Sequence, residues 1–173
     1  MTLEHLIGDA TNPVGDKGMK FIAHCCNNIG AWGAGFVMAL SRRWGMPELM
    51  YRKWAQENPA EMRESLGKIQ VVPVEKDIMV INIIGQHRIG PDKDGNPPIR
   101  YNAIKEGLLK TNEIMDGYSG KNPTLHMPRI GSGLAGGDWD KIEKIIKETV
   151  KYKTFVYTLP HEAEKYGMKN DAL

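Results

Sequence analysis

The sequence predicts an α/β fold of three layers, in which helices cover both faces of a central mixed sheet. The first observation is that strand-like and helix-like segments alternate along the chain. The second is IMVINII at 78–84, a run rich in β-branched residues that is typical of a central strand. The third is the amphipathic segment 141–151, which places Ile142, Ile145, Ile146 and Val150 on one helical face.

The elements follow from hydrophobic periodicity and from glycine and proline punctuation. We predict strands at 3–9, 19–27, 67–73, 78–84, 124–127 and 154–159. We predict helices at 36–44, 47–58, 101–115 and 141–151. A long loop, 85–100, separates the fourth strand from the third helix. We expect one domain over residues 1–160, followed by a polar C-terminal tail over 161–173, since 173 residues suit a single core.

Charge and targeting signals exclude several classes of protein. The chain has 23 basic and 21 acidic residues, a balance that does not indicate a nucleic-acid or membrane partner. No apolar run approaches the ~20 residues that span a bilayer, and the first 15 residues lack the pattern of a signal peptide. We therefore expect a cytoplasmic protein, and we expect it to be a monomer.

The segment HCCNNIGAWGAG at 24–35 has the residue types of a reactive or metal site. Cys25 and Cys26 are adjacent, and neighbouring cysteines do not form an unstrained disulfide. A zinc site needs about four ligands, and no second ligand pair accompanies His24 and these cysteines. We therefore expect both thiols to pack at the end of a strand, and we expect neither a metal nor a cofactor.

Two glycine-rich segments each follow a strand and precede a helix: GAWGAGF at 30–36 and GSGLAGGDW at 131–139. We call residues 30–35 the first glycine loop and residues 131–136 the second. The carboxyl ends of parallel strands share one edge of a sheet, so both loops belong at that edge. Backbone amides at a helix start favour anions, so two facing loops suit a diphosphate. The alternative is that both loops are simply tight turns.

Four segments together resemble the macrodomain family: GDA at 8–10, HCCNNIGAWGAGF at 24–36, MPRIGSGLAGGDW at 127–139 and FVYTL at 155–159. Their order and spacing match that family over about residues 3–159. Within it, the chain most resembles the yeast-type ADP-ribose 1''-phosphate phosphatases. It is also similar to the terminal ADP-ribose protein glycohydrolase group.

The resemblance implies a three-layer macrodomain with a pocket for ADP-ribose. It places Asp9, with Gly8 and Ala10, at the adenine amine, and Asn27 near the distal ribose. Tyr157 and Leu159 would lie near the adenosine end. The segment Trp32, Gly33, Ala34, Gly35 and Phe36 would wrap the distal ribose and the diphosphate. The opposite side would be closed by Ile130, Gly131, Ser132, Gly133, Leu134, Ala135 and Gly136.

The candidate catalytic residues rest on the chemistry of the side chains as well as on the resemblance. Hydrolases that remove ADP-ribose from proteins use a lysine and an aspartate, where this chain has Gln86 and Ala135. We expect His24 to act as acid or nucleophile on a terminal phosphate, against the alternative of a core histidine. We expect Asp138 to activate water, against the alternative that Asp138 or Asp140 caps the last helix, with Glu143 completing a capping box.

The resulting expectation is a phosphatase that converts ADP-ribose 1''-phosphate to ADP-ribose and phosphate. The alternatives are a hydrolase that removes ADP-ribose from modified protein or nucleic acid, a non-catalytic ADP-ribose reader, and an unrelated structural α/β domain. The expected partner is a small-molecule ADP-ribose derivative, and nucleic acid enters only as a modified substrate.

Overall fold

The computed structural model describes residues 2–15 and 17–169. It contains a six-stranded sheet in the order β1-β6-β5-β2-β4-β3. The strands are β1 (Leu3–Ile7), β2 (Lys20–Asn27), β3 (Ile69–Glu75), β4 (Ile78–Gln86), β5 (Thr124–Pro128) and β6 (Thr154–Thr158). Neighbouring strands are parallel except β3 and β4, which are antiparallel. The predicted mixed sheet is confirmed.

The helices are α1 (Phe36–Arg43), α2 (Met46–Glu57), α3 (Pro59–Arg63), α4 (Tyr101–Asp116) and α5 (Trp139–Thr149). The sequence analysis missed α3 because its five residues are too few to show a helical period. This helix begins where Asn58 leaves the helical conformation at φ −135° and Pro59 occupies the first helical turn.

The two faces of the sheet bury different residues of the same strands, which creates the three layers. Odd-numbered residues of the central strands, such as Phe21 and Ile83, pack against α4 and α5. Even-numbered residues, such as Ile22 and Ile84, pack against α1, α2 and α3. Side chains alternate along a strand, so Cys25 and Cys26 face opposite layers.

The C-terminal segment packs against the domain as far as the structure describes it. Two short 3₁₀ turns, Pro160–Glu162 and Glu164–Tyr166, follow β6, and Ala163 between them is buried. The Arg129 guanidinium lies 3.7 Å from the centre of the Tyr166 ring. Residues 170–173 of the predicted tail lie outside the described residues.

None of the helices that the structure describes combines the length and the apolar character needed to cross a membrane.

Candidate functional site

A cleft of about 430 Å³ opens at the carboxyl edge of β2, β4 and β5. Both glycine loops line it, as the sequence predicts, together with strand ends and part of the long loop. Its walls are His24, Cys25, Cys26, Asn27, Ala31, Gly33, Ala34, Gly35, Phe36, Val37, Gln86, Ile89, Gly90, Pro128, Arg129, Ile130, Gly131, Gly133, Leu134 and Ala135.

The first glycine loop is held by the side chain of Asn27. Its Oδ1 accepts hydrogen bonds of 3.1 Å from the backbone N–H groups of Ile29 and Ala31, and its Nδ2 donates to the Ala31 carbonyl at 2.8 Å. Gly30 turns the chain at φ +78°, where a Cβ would lie 2.4 Å from the Cβ of Ala55. Asn27 thus shapes the loop at the same time as it lines the cleft.

Trp32 supports this loop from beneath. It is buried, its indole N–H donates to Ser41 Oγ at 2.8 Å, and Arg52 donates to its carbonyl at 2.6 Å. Of the predicted segment 32–36, the structure therefore brings residues 33–36 to the cleft and leaves Trp32 as packing. Gly35, at φ +83°, directs the chain into the start of α1.

The second glycine loop forms the opposite wall. Gly131 and Gly136 both have φ +71°, and the Gly137 N–H donates to the Gly131 carbonyl at 2.7 Å. Ser132 donates its hydroxyl to the Arg129 carbonyl, and Gly136 packs on Pro97. Ser132 and Gly136 are not among the lining residues, so they shape the loop from outside the cleft.

The residues predicted for the adenosine end form a separate group at the edge of β1 and β6. The Gly8 N–H donates to the Thr158 carbonyl, and the ring of Tyr157 lies against Gly8. Asp9 Oδ1 accepts two bonds of 2.8 Å from Thr11, and the Val14 N–H donates to the hydroxyl of buried Tyr157. Ala10 is buried and Leu159 is 40% exposed. None of these predicted residues lines the cleft.

His24 reaches the cleft but is 1% exposed. Burial lowers its pKa to about 4, although a hydrogen bond to Asn82 works in the opposite sense. The rings of Trp32 and Phe36 pack on it at centroid distances of 5.4 and 5.8 Å. The imidazole is therefore neutral near pH 7, which disfavours the predicted acid, and its burial agrees with the core-histidine alternative. The predicted nucleophile stays a prediction.

Asp138 lies away from the cleft. It is the N-cap of α5, where its Oδ1 accepts a hydrogen bond of 3.0 Å from the Asp140 N–H. With Asp138 as the cap, Glu143 is not the third helical residue of a capping box, and it contacts His5 instead. Asp138 borders a different hollow of about 500 Å³, so the structure favours the cap over the predicted base.

The remaining wall of the cleft has little acid–base chemistry. Gln86 donates from Nε2 to the Arg88 carbonyl at 2.8 Å, and Ala135 is buried. Burial raises the pKa of the Cys25 thiol to about 12 and that of the Cys26 thiol as well, which agrees with a packing role. Among the described residues of the lining, none is Asp, Glu or Lys.

Sequence reasoning missed Arg129, which borders both the cleft and the hollow beside Asp138. Its Nε donates to Thr158 Oγ1 at 2.9 Å, and its guanidinium lies over Tyr166 and over Trp139. Its place in the PRIG segment just before the second glycine loop was an available signal. Across residues 2–15 and 17–169, no group of three His, Cys, Asp or Glu side chains is arranged to hold a metal.

The cleft therefore combines two glycine-rich turns and the start of a helix. Backbone N–H groups in such turns suit an anionic ligand with several phosphate oxygens. The apolar residues of the lining suit the non-ionic parts of that ligand.

Curated proteins similar to the chain include large and small relatives. The chain is 30% identical over 156 residues to a chromodomain-helicase-DNA-binding protein 1-like protein of Danio rerio. That match covers 84% of this chain but only 14% of the relative. The chain is 20% identical to an ADP-ribose 1''-phosphate phosphatase of Lodderomyces elongisporus, with 92% and 99% of the two chains covered. An enzyme of that name from Saccharomyces cerevisiae is 27% identical, with 75% and 83% covered.

Solved structures give stronger matches, whereas no family model matches the chain. A protein of unknown function from Bacteroides thetaiotaomicron is 45% identical, with a TM-score of 0.84 and coverage of 91% of this chain and 98% of that one. A macrodomain protein from Streptomyces coelicolor is 39% identical, with a TM-score of 0.76 and coverage of 91% and 99%. Identity of this extent over nearly the whole of both chains shows that the chain belongs to the macrodomain family.

Proposed function

We propose that the protein binds ADP-ribose derivatives in the cleft and hydrolyses ADP-ribose 1''-phosphate. The single observation that carries the proposal is the pair of glycine loops that face each other across a cleft of about 430 Å³. A diphosphate between these loops receives backbone N–H groups from both sides.

The proposed reaction is supported by two fungal relatives that carry the name ADP-ribose 1''-phosphate phosphatase, at 20% and 27% identity. Hydrolysis adds water across the bond between the terminal phosphorus and the 1'' oxygen, and it yields inorganic phosphate and ADP-ribose. Because the lining offers no carboxylate, the rate enhancement rests on positioning and on backbone N–H groups that neutralise phosphate charge.

The test is phosphate release from ADP-ribose 1''-phosphate by the purified protein, with ADP-ribose binding measured on the same sample. Gly33→Ala ties the activity to this cleft, because its methyl group would occupy ligand space, and we expect it to reduce kcat/KM about tenfold or more. The matched control is Gly120→Ala, at an exposed position outside the cleft that also has nothing within 4 Å of an added Cβ, and we expect it to keep the wild-type value. Absence of phosphate release, or equal loss in both variants, would overturn the proposed reaction.

A non-catalytic reader is the second candidate, and one observation favours it. Gln86 and Ala135 replace the lysine and aspartate of related hydrolases, and the described lining has no carboxylate or amine to replace them. An amide does not attack an anomeric carbon, so removal of ADP-ribose from protein or nucleic acid is disfavoured by the same residues. Saturable ADP-ribose binding without turnover of any of these substrates would select the reader.

A further inference from the structure

Three polar residues form a row across the sheet under α2. His24 of β2 pairs directly with Asn82 of β4, and Asn82 pairs directly with Gln70 of β3. His24 and Asn82 are 1% and 0% exposed. The row crosses a face that otherwise buries apolar side chains such as Ile22 and Val80.

Hydrogen bonds to backbone carbonyls fix the orientation of both amides in this row. Gln70 Nε2 donates to the Met50 carbonyl at 3.0 Å, so Gln70 Oε1 faces Asn82. Asn82 Nδ2 donates to that Oε1 at 3.0 Å and to the Pro47 carbonyl at 3.4 Å. A carbonyl oxygen only accepts, so neither amide can be turned over without placing two acceptors together.

The orientation of the Asn82 amide also fixes the tautomer of the His24 imidazole. Asn82 Oδ1 is the atom that faces His24 Nε2, and an amide oxygen only accepts, so Nε2 must carry the hydrogen. A neutral imidazole has one N–H, so Nδ1 is an acceptor. Cys26 Sγ lies 3.9 Å from Nδ1 and 3.8 Å from Nε2, and its S–H is a donor that Nδ1 can accept.

We propose that Asn82 and Gln70 are positioning residues that hold His24 as the Nε2–H tautomer, with Nδ1 accepting from the Cys26 thiol. In this state the imidazole ring is fixed against Trp32 and Phe36 at the wall of the cleft. This inference rests on the proposed function for its ligand, which Phe36 and the first glycine loop would contact. Nε2 is committed to Asn82 and takes no part in the reaction.

The tautomer is tested first on the wild-type protein without ligand, by two-bond ¹H–¹⁵N correlation of the histidine rings. We expect the His24 signals to show hydrogen on Nε2 and a bare Nδ1. Hydrogen on Nδ1, or a mixture of the two tautomers, would overturn the inference. Because this reading needs neither turnover nor ligand, its failure is distinguishable from failure of the proposed function.

The positioning role is tested by Asn82→Leu, with Asn112→Leu as the matched control. Asn112 is also a buried asparagine that bridges backbone groups, at Thr149 and Lys151, but it lies on α4 against the other face of the sheet. We expect Asn82→Leu to mix the His24 tautomers and to weaken ADP-ribose binding at least about fivefold. Asn112→Leu should leave both properties unchanged.

If ADP-ribose binding were weakened equally in the two variants, the cause would be lost stability, and the positioning role would be contradicted. Gln70→Leu provides a second variant if Asn82→Leu does not fold, since it removes the acceptor that fixes the Asn82 amide. This variant should mix the His24 tautomers, and a wild-type tautomer in it would contradict the role of Gln70.

Discussion

Single residues of the cleft wall act mainly through the backbone that they hold. Asn27 makes three hydrogen bonds to the loop that follows it, and His24 packs against two aromatic rings from the same region. The resemblance implies that both side chains contact the ligand. In the structure they also hold the conformation of the first glycine loop, so a substitution at either position would change the loop as well as the ligand site.

At Asp138, the structural role of a helix cap and the predicted catalytic role of the carboxylate can be tested separately. Asparagine caps a helix as well as aspartate does, whereas alanine costs about 1 kcal/mol of stability. We expect Asp138→Asn to keep both the free energy of unfolding and the rate of phosphate release. Asp138→Ala should lower the free energy of unfolding by about 1 kcal/mol and leave the rate unchanged.

Urea unfolding and the phosphate-release assay on these two variants provide the check. A large loss of rate in Asp138→Asn would show that the carboxylate activates water, as the sequence analysis expects, and that the cap is not its sole role.

At the scale of elements, the first glycine loop contains two glycines with opposite requirements. Gly30 has φ +78°, and its Cβ would lie 2.4 Å from the Cβ of Ala55, a short rigid side chain on α2. Gly33 has nothing within 4 Å of an added Cβ and lines the cleft. The pair therefore distinguishes a glycine that builds the loop from one that leaves room for a ligand.

We expect Gly30→Ala to lower the free energy of unfolding by about 2 kcal/mol or more, since it combines a clash with a strained φ. Gly33→Ala should change stability by less than about 0.5 kcal/mol. It should nevertheless weaken ADP-ribose binding about tenfold, because its methyl group would occupy ligand space. Thermal unfolding and calorimetric titration measure the two effects, and unchanged ADP-ribose affinity in Gly33→Ala would place the ligand elsewhere.

A helix or strand is predictable from sequence when the residues that determine it lie within the segment itself. The strand at 78–84 and the helix at 141–151 are set by side-chain periodicity within the segment, and both occur in the structure. Helix α5 begins at Trp139 rather than at 141, because Asp138 rather than Asp140 supplies the cap. The roles of His24 and Asn82 depend on strand pairing between residues far apart in sequence, which no local pattern of residues specifies.

At the scale of the whole molecule, buried histidines link stability to pH. Burial lowers the pKa of His24 and of His126 to about 4, from an ordinary value of 6.5. The unfolded chain therefore takes up protons on these side chains at a higher pH than the folded chain does. The contribution of these two histidines to the free energy of unfolding is complete above about pH 6.5, and it is lost as the pH falls toward 4.

Between about pH 7.5 and about pH 5, the free energy of unfolding should fall by about 2 kcal/mol for each histidine, or about 4 kcal/mol in total. Urea unfolding at these two pH values measures the fall. His161→Gln, at an exposed position, is the control and should show the same loss. A free energy of unfolding that is equal at both pH values would contradict the buried neutral state of these histidines.

The order of the strands brings two loops, separated by about a hundred residues, to the same cleft. The sequence of either loop alone is compatible with a ligand site and with a tight turn. We propose that the two loops together hold ADP-ribose.

Titration of the ¹⁵N-labelled protein with ADP-ribose, followed by ¹H–¹⁵N correlation, tests this claim most directly because it locates the ligand by residue. We expect saturable shifts of the amide signals of both loops, including Gly33, Gly35, Gly131 and Gly133, which line the cleft. Absence of saturable shifts, or shifts confined to the distant groove beside Met50 and Trp54, would contradict it.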